Sequence, residues 1–412
     1  MYKYNNAFCK SSRIDEHGKA LENKVAKVFS FLETTNSQTP FYKVIHKHNL
    51  EPAALACKEM VKTIQENFDV YVYIGMGGAI LNPKMMASLH HKNDGKEIYF
   101  INTTDPTYFM EIRRQLDLAK TAFIVTSNSG ETSETISMLG AFVNEFKKSG
   151  LQYKNNFFFC TSLTGNTLRK IAESFDAPVL EYNSGIGGRF SCFSNSAILP
   201  AMLMGLDLEA FNEGANKVAD AFWNNKQKSL PSIAALDILT TKKPNLVTLS
   251  YDHNLKAFLD WYAQIISESL GKNSNGYNPM NGIAPQEQHS TMQLYLDGPE
   301  DKLYTLIHTK AAETTRKAIV DAGLVPSGHF LNAKSLGTVH KAMFDATTKA
   351  LIDKGRPVRT IELDEFNEES LGSLIMHCSI EVIFLGLLLE IDPFDQPGVE
   401  AIKIEAKRLL SS

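Results

Sequence analysis

Near the start of the chain, apolar positions recur every three or four residues, at Leu21, Val25, Val28 and Phe29, then at Leu55, Met60, Val61 and Ile64. That period puts each set on one face of an α-helix. From Val70 the pattern shortens. The runs Val70–Ile74, Ile98–Ile101, Ala122–Thr126, Phe157–Cys160 and Pro178–Tyr182 read as strands. Between them, Asn82–His90, Pro106–Ala119, Thr132–Lys148 and Thr164–Ser174 have helical spacing. Strand–helix alternation of this kind predicts a parallel sheet with helices on both faces.

A helical stretch from about Ser194 to Asn225 links this half to the next. There, strands are expected at Leu246–Ser250, Leu303–Ile307 and Thr360–Leu363. Helices are expected at Ser232–Leu239, Asn254–Leu270, Ala333–Asp353 and Glu369–Glu390. The predicted fold class is α/β, with two doubly wound parallel-sheet domains, a helical linker and C-terminal helices. The expected division is an N-terminal helical segment at 1–50, a first α/β domain at 51–226 and a second at 227–412. A length of 412 residues favours two cores over one.

Composition mainly excludes. The net charge is −4 with no long run of one sign, whereas a general nucleic-acid binder needs a basic stripe. The apolar run Val382–Leu389 lies between Glu381 and Glu390 and falls short of the roughly 20 residues that cross a bilayer, so it reads as a buried helix and no membrane partner is expected. The N-terminal sequence lacks the apolar core of a signal peptide. Five cysteines, Cys9, Cys57, Cys160, Cys192 and Cys378, are scattered without CxxC spacing. Free thiols in the cytoplasm are expected, with no metal and no cofactor.

Two loops carry candidate chemistry. In open α/β sheets, ligands bind beyond the carboxyl ends of strands. Gly75, Gly77 and Gly78 follow the first strand and let the backbone approach a ligand closely, although their spacing is not a dinucleotide fingerprint. After Ala122–Thr126, the hydroxyls of Ser127, Ser129, Thr132 and Thr135 gather where a helix begins. Together with backbone N–H groups and the helix dipole they can hold a phosphate. A capping box would use only one or two of them.

The Ser-x-Ser-x-x-Thr-x-x-Thr loop resembles the phosphate loop of the sugar-isomerase (SIS) domains. Further motifs narrow the resemblance to the phosphoglucose isomerase family. The segment from Ser184 to Ser191 resembles its Gly-Gly-Arg-(Phe/Tyr)-Ser motif, with Arg189 as the cation. Gln264-x-x-x-Glu268-Ser-Leu-Gly-Lys272 and Phe394-Asp-Gln-Pro-Gly-Val-Glu-Ala-Ile-Lys403 match two more. On the second of these, Asp395 is expected to cap and Pro397 to open the helix that carries Lys403. On the helix before Gly271, Trp261, Gln264 and Glu268 are expected to share a face.

The resemblance implies interconversion of glucose 6-phosphate and fructose 6-phosphate through a cis-enediol. It assigns ring opening to His289 and Lys403, proton transfer to Glu268 and enediolate stabilisation to Arg189. Gln264 would position the sugar, with Gly77, Gly78, Ser127, Ser129, Thr132 and Thr135 binding substrate and phosphate. It also implies a homodimer in which His289 completes the neighbouring site. Glu287 is a competing carboxylate, and simple surface pairs, Glu268 with Lys272 and Glu400 with Lys403, are the plain alternative. Two positions depart from the family: Ala79 replaces a Ser, and Asn128 stands where many relatives carry Lys. A different sugar-phosphate isomerase, acting on mannose 6-phosphate or an amino sugar, and a non-catalytic sugar-phosphate sensor are the alternative readings.

Overall fold

The computed structural model describes residues 2–7, 18–89, 96–163, 165–182, 185–310 and 318–411. Cys9, His90, Thr164 and Ser184, named above, lie outside the described residues. The chain folds as two compact units, one formed by 1–47 with 213–412 and the other by 48–212. The change of unit falls inside the helix Leu208–Asn225. The first strand, β1 (Tyr2–Asn5), belongs to the former unit.

The 48–212 unit holds five parallel strands: β2 (Val70–Ile74), β3 (Glu97–Ile101), β4 (Thr121–Ser127), β5 (Phe157–Thr161) and β6 (Val179–Glu181). Their order is β3-β2-β4-β5-β6. Each expected strand is present, within one or two residues of its predicted ends. Central β4 and β5 are buried along their whole length, which is why they read as unbroken apolar runs. On one face Phe123, Phe142, Phe146 and Phe157 form an aromatic core, with Phe123 stacked on Phe157 at 4.9 Å. One expected core residue differs. Leu55 on the helix Glu51–Asn67 is 71% exposed, and Cys57 joins Met60, Val61 and Ile64 in the interior instead.

The other unit has β7 (Asn245–Ser250), β8 (Asn278–Ile283), β9 (Lys302–Thr309) and β10 (Val358–Leu363), in the order β1-β10-β9-β7-β8. All pairings are parallel except β1 with β10. Both edge strands, β1 and β8, escape the hydrophobic pattern. β8 reads Asn-Pro-Met-Asn-Gly-Ile, a turn by composition, and its Pro279 is tolerated because an edge strand has a free side.

β1 is fixed by polar contacts. Tyr2 Oη lies 2.6 Å from His377 Nδ1, and Tyr4 Oη donates to Asp237 at 2.5 Å. Behind it, buried Arg359 donates to Glu381 (2.7 Å), Thr305 Oγ1 (2.7 Å) and the Ala234 carbonyl (3.1 Å). The helix Glu368–Leu388 runs through this core. It is long and apolar enough to cross a membrane, but nearly all of it is buried inside the protein.

Candidate active site

In the 48–212 unit the chain leaves β2 toward β3 on one side and β4 toward β5 and β6 on the other, so the topological switch lies between β2 and β4. A ligand crevice is expected beyond their carboxyl ends. The two loops chosen from sequence follow these two strands. Gly77 sits at φ +54° and starts the helix Gly78–Ala87, four residues ahead of the predicted start. A Cβ on Gly78 would stand 2.1 Å from the Gly188 carbonyl oxygen, so this glycine admits the Arg189 loop to the first loop. Ala79, the next residue of this helix, is buried.

The loop after β4 is held by its own groups. Ser127 Oγ and Thr132 Oγ1 are 2.9 Å apart, and Ser127 Oγ accepts from Gly130 N at 3.1 Å. Ser129 Oγ accepts from Glu131 N at 3.2 Å, and Ser129 itself is exposed. Glu131 accepts from the Thr167 N–H (2.7 Å) and hydroxyl (2.8 Å), tying the loop to the next helix. Thr132 is the N-cap of Ser133–Lys148, yet its side chain makes no capping bond. The capping-box alternative is therefore not built, and the first-turn N–H groups have no side-chain cap. Thr135 Oγ1, 1% exposed, has no hydrogen-bond partner among the described residues. A buried hydroxyl without a partner is costly, and a phosphate oxygen would satisfy it.

Arg189 occupies a short 3-10 turn, Gly188–Phe193, and is buried, its guanidinium carbon 5.2 Å from the Phe190 ring centroid. Beneath it lies a buried polar cluster, Asn82, Tyr182, Ser191, Cys192 and Ser196, of which only Ser191 stood in a motif read from the sequence. Asn82 among the apolar residues Ala79, Ile80, Leu81 and Pro83 of its helix was the available signal.

In the other unit, the helix Lys256–Leu270 carries Gln264 and Glu268, both half-buried. Gln264 Nε2 donates to Glu268 Oε1 at 2.9 Å. Trp261 does not share their face; it is fully buried in the core, where its ring packs 5.7 Å from Phe258. The Glu268–Lys272 surface pair does not form. Lys272 instead bridges Asp395 at 2.6 Å and donates to the Asp392 carbonyl, joining two of the motif segments. Asp395 thus serves as an anchor and not as a cap: the C-terminal helix Glu400–Leu410 has Val399 as its N-cap. Pro397 opens a 3-10 turn just before it. On that helix Lys403 is exposed and pairs with Glu400 at 2.6 Å, so this plain surface pair is present.

His289 is exposed in the 3-10 turn Gln286–His289 after β8. The turn is anchored by Gln288 Nε2, which donates to Thr347 Oγ1 (2.6 Å) and Tyr251 Oη (2.9 Å). Glu287 Oε2 accepts from Ser290 Oγ at 2.9 Å and Thr291 Oγ1 at 2.7 Å. Its stem covers Gly282, where a Cβ would meet Glu287 Cγ at 2.4 Å. These contacts hold Glu287 within its own turn.

The profile of the family described as phosphoglucose isomerase matches residues 56–412. The chain belongs to the phosphoglucose isomerase family. A glucose-6-phosphate isomerase of Methanocaldococcus jannaschii is 30% identical over 422 residues, covering 99% of each chain. Among solved structures, a hypothetical protein from Thermus thermophilus superposes with a TM-score of 0.86 at 26% identity over the whole of both chains. A glucose-6-phosphate isomerase from Chlamydia trachomatis has the same fold, with a TM-score of 0.79 at 21% identity, covering all of this chain and 88% of that one. Membership in the phosphoglucose isomerase family fits the positions of the glycine and hydroxyl loops at the sheet's switch point.

Proposed function

We propose that this protein interconverts glucose 6-phosphate and fructose 6-phosphate through a cis-enediol, as a cytoplasmic homodimer serving glycolysis and gluconeogenesis. The two α/β units are taken as its two sugar-isomerase-type domains. The observation that carries the reading is the hydroxyl loop of this family member. An uncapped helix N-terminus and a Thr135 hydroxyl with no partner among the described residues offer donors without internal use, beside the Ser127–Thr132 pair.

Ser127, Ser129, Thr132 and Thr135, with backbone N–H groups, grip the phosphate, and the backbone of Gly77 and Gly78 binds the sugar. Lys403 and His289, the latter from the partner subunit, open the ring by donating to and withdrawing from its oxygens. Glu268 removes the C2 proton and returns it to C1, with Gln264 fixing the carboxylate through the bond already formed. Arg189 faces the oxyanion that develops on the enediolate. Glu268 is taken as the base on the family motif that carries it, and Glu287, whose carboxylate accepts from two hydroxyls of its own turn, is the second candidate. Binding energy from the phosphate orients the reacting carbons.

Side-by-side turnover tests the substrate. Glucose 6-phosphate and fructose 6-phosphate should interconvert with a kcat/KM well above that for mannose 6-phosphate or an amino-sugar phosphate. Faster turnover of either of the latter would reassign the substrate, and binding without turnover would indicate a sensor.

A further inference from the structure

The buried cluster beneath Arg189 has a defined hydrogen-bond direction. Ser191 Oγ lies 2.8 Å from the Gly188 carbonyl, which can only accept, so Ser191 donates its single proton there. Its lone pairs then face Asn82 Nδ2–H at 3.0 Å and the hydroxyls of Tyr182 at 2.8 Å and Ser196 at 3.1 Å. The Asn82 amide is oriented from its other end, where Oδ1 accepts from Cys192 Sγ at 3.3 Å. Ser194 Oγ donates to the Ser191 carbonyl at 2.8 Å, and Asn195 Nδ2 to the Glu181 carbonyl at 2.9 Å, closing the loop from behind.

The Gly188–Arg189 peptide is thereby clamped from two sides. One side is the Ser191 hydroxyl; the other is Gly78, whose missing Cβ leaves room for the Gly188 carbonyl. Asn82 sits on the helix that Gly78 begins, so one hydrogen-bonded unit joins the glycine loop to the backbone of Arg189. A long guanidinium side chain has many rotamers and takes its place from its backbone and its packing.

We propose that Ser191, oriented by Asn82 and Tyr182, is a positioning residue that fixes Arg189 for the enediolate. This rests on the role given to Arg189 above. Stabilisation of a developing oxyanion depends steeply on placement, and a shift of about 1 Å can cost roughly a hundredfold in rate.

Two ligands separate positioning from general support: glucitol 6-phosphate, with a neutral head, and a pentonohydroxamate 5-phosphate, whose planar anion resembles the enediolate. In Ser191→Ala the hydroxamate should bind about tenfold or more weakly, with the glucitol phosphate within about twofold of wild type and kcat falling while KM holds. Tyr182→Phe preserves volume and the Ser191–Gly188 bond; it should give the same selective loss, smaller in size, and serves if Ser191→Ala fails to fold. Equal weakening of both ligands, or of neither, would overturn the proposal. Arg189→Lys is the control. If it leaves hydroxamate affinity unchanged, the enediolate role itself fails; if it weakens the hydroxamate and the Ser191 and Tyr182 variants do not, only the positioning inference fails.

Discussion

Among the described residues the buried Thr135 hydroxyl has no partner, a feature that a folded chain tolerates at some cost and a ligand can redeem. Thr135→Val keeps the shape and removes the oxygen. The variant should be about 1 kcal/mol more stable in thermal unfolding, since an unpaired buried hydroxyl carries roughly that penalty. At the same time KM for the sugar phosphate should rise about tenfold, equivalent to about 1.4 kcal/mol of lost binding. An unchanged KM would remove Thr135 from the phosphate site. Gly130 is constrained differently: it sits at φ +66°, and a Cβ there would stand 1.9 Å from Asn166 Oδ1. Gly130→Ala should cost about 1–2 kcal/mol in denaturant unfolding and distort the hydroxyl loop. At this scale the sequence showed which residues were unusual and not what they touched. Trp261 took a core position because its large apolar ring gains most from burial, although helical spacing set it beside Gln264 and Glu268. Asn82 and Tyr182 passed unnoticed because their partners are about a hundred positions away or lie in a turn.

At the scale of elements, the bridge from Lys272 to Asp395 is the feature with most leverage. It joins the end of the Glu268 helix to the segment that leads into the Lys403 helix, and the Lys272 side chain is only 9% exposed. Asp395 is about half exposed, so removing Lys272 leaves no buried charge behind; what is lost is the anchor that holds this segment against the Glu268 helix. Lys272→Ala should therefore lower kcat by about tenfold or more, with faster amide exchange over 400–410, through misplaced Lys403. Normal exchange and normal kcat together would show that the bridge has no such role. The central strands were legible because each is an apolar run with turns at its ends. β1 and β8 were not, since edge strands are short or polar and owe their place to pairing with β10 and β7. No periodicity within their own four or six residues announces that.

For the whole molecule, acid should weaken the 1–47/213–412 unit through His377. Burial holds this imidazole down at about 4, from an ordinary 6.5, against the opposing pull of Glu381. The unfolded chain therefore binds a proton between these values that the folded chain does not. Its contribution to stability is full above about pH 6.5 and is lost as pH falls toward 4, by up to about 1.4 kcal/mol per pH unit. Urea unfolding at pH 7 and pH 5 should show this slope in wild type and a shallower one in His377→Gln. The proposed exchange of His289 between subunits has its own test. Glu268→Gln and His289→Ala homodimers should each be nearly inactive, while unfolding and refolding them together should restore about a quarter of wild-type activity, because half the dimers would carry one intact site. No restoration would place His289 in its own subunit's site. The doubly wound class was legible from strand–helix alternation, and the family from four short motifs. The proposed homodimer came only from the resemblance and not from any pattern in the residues, because an isologous interface would leave no period in the sequence.

The central claim is that the Glu268 carboxylate moves the proton between C2 and C1. Isomerisation in deuterated water, followed by NMR of the sugar carbons, measures this directly in wild type, Glu268→Gln and Glu287→Gln. Wild type and Glu287→Gln should place solvent deuterium at C1 or C2, and Glu268→Gln should bind sugar phosphate but lose turnover and label by about a thousandfold. Full exchange in Glu268→Gln, with loss in Glu287→Gln, would contradict the account.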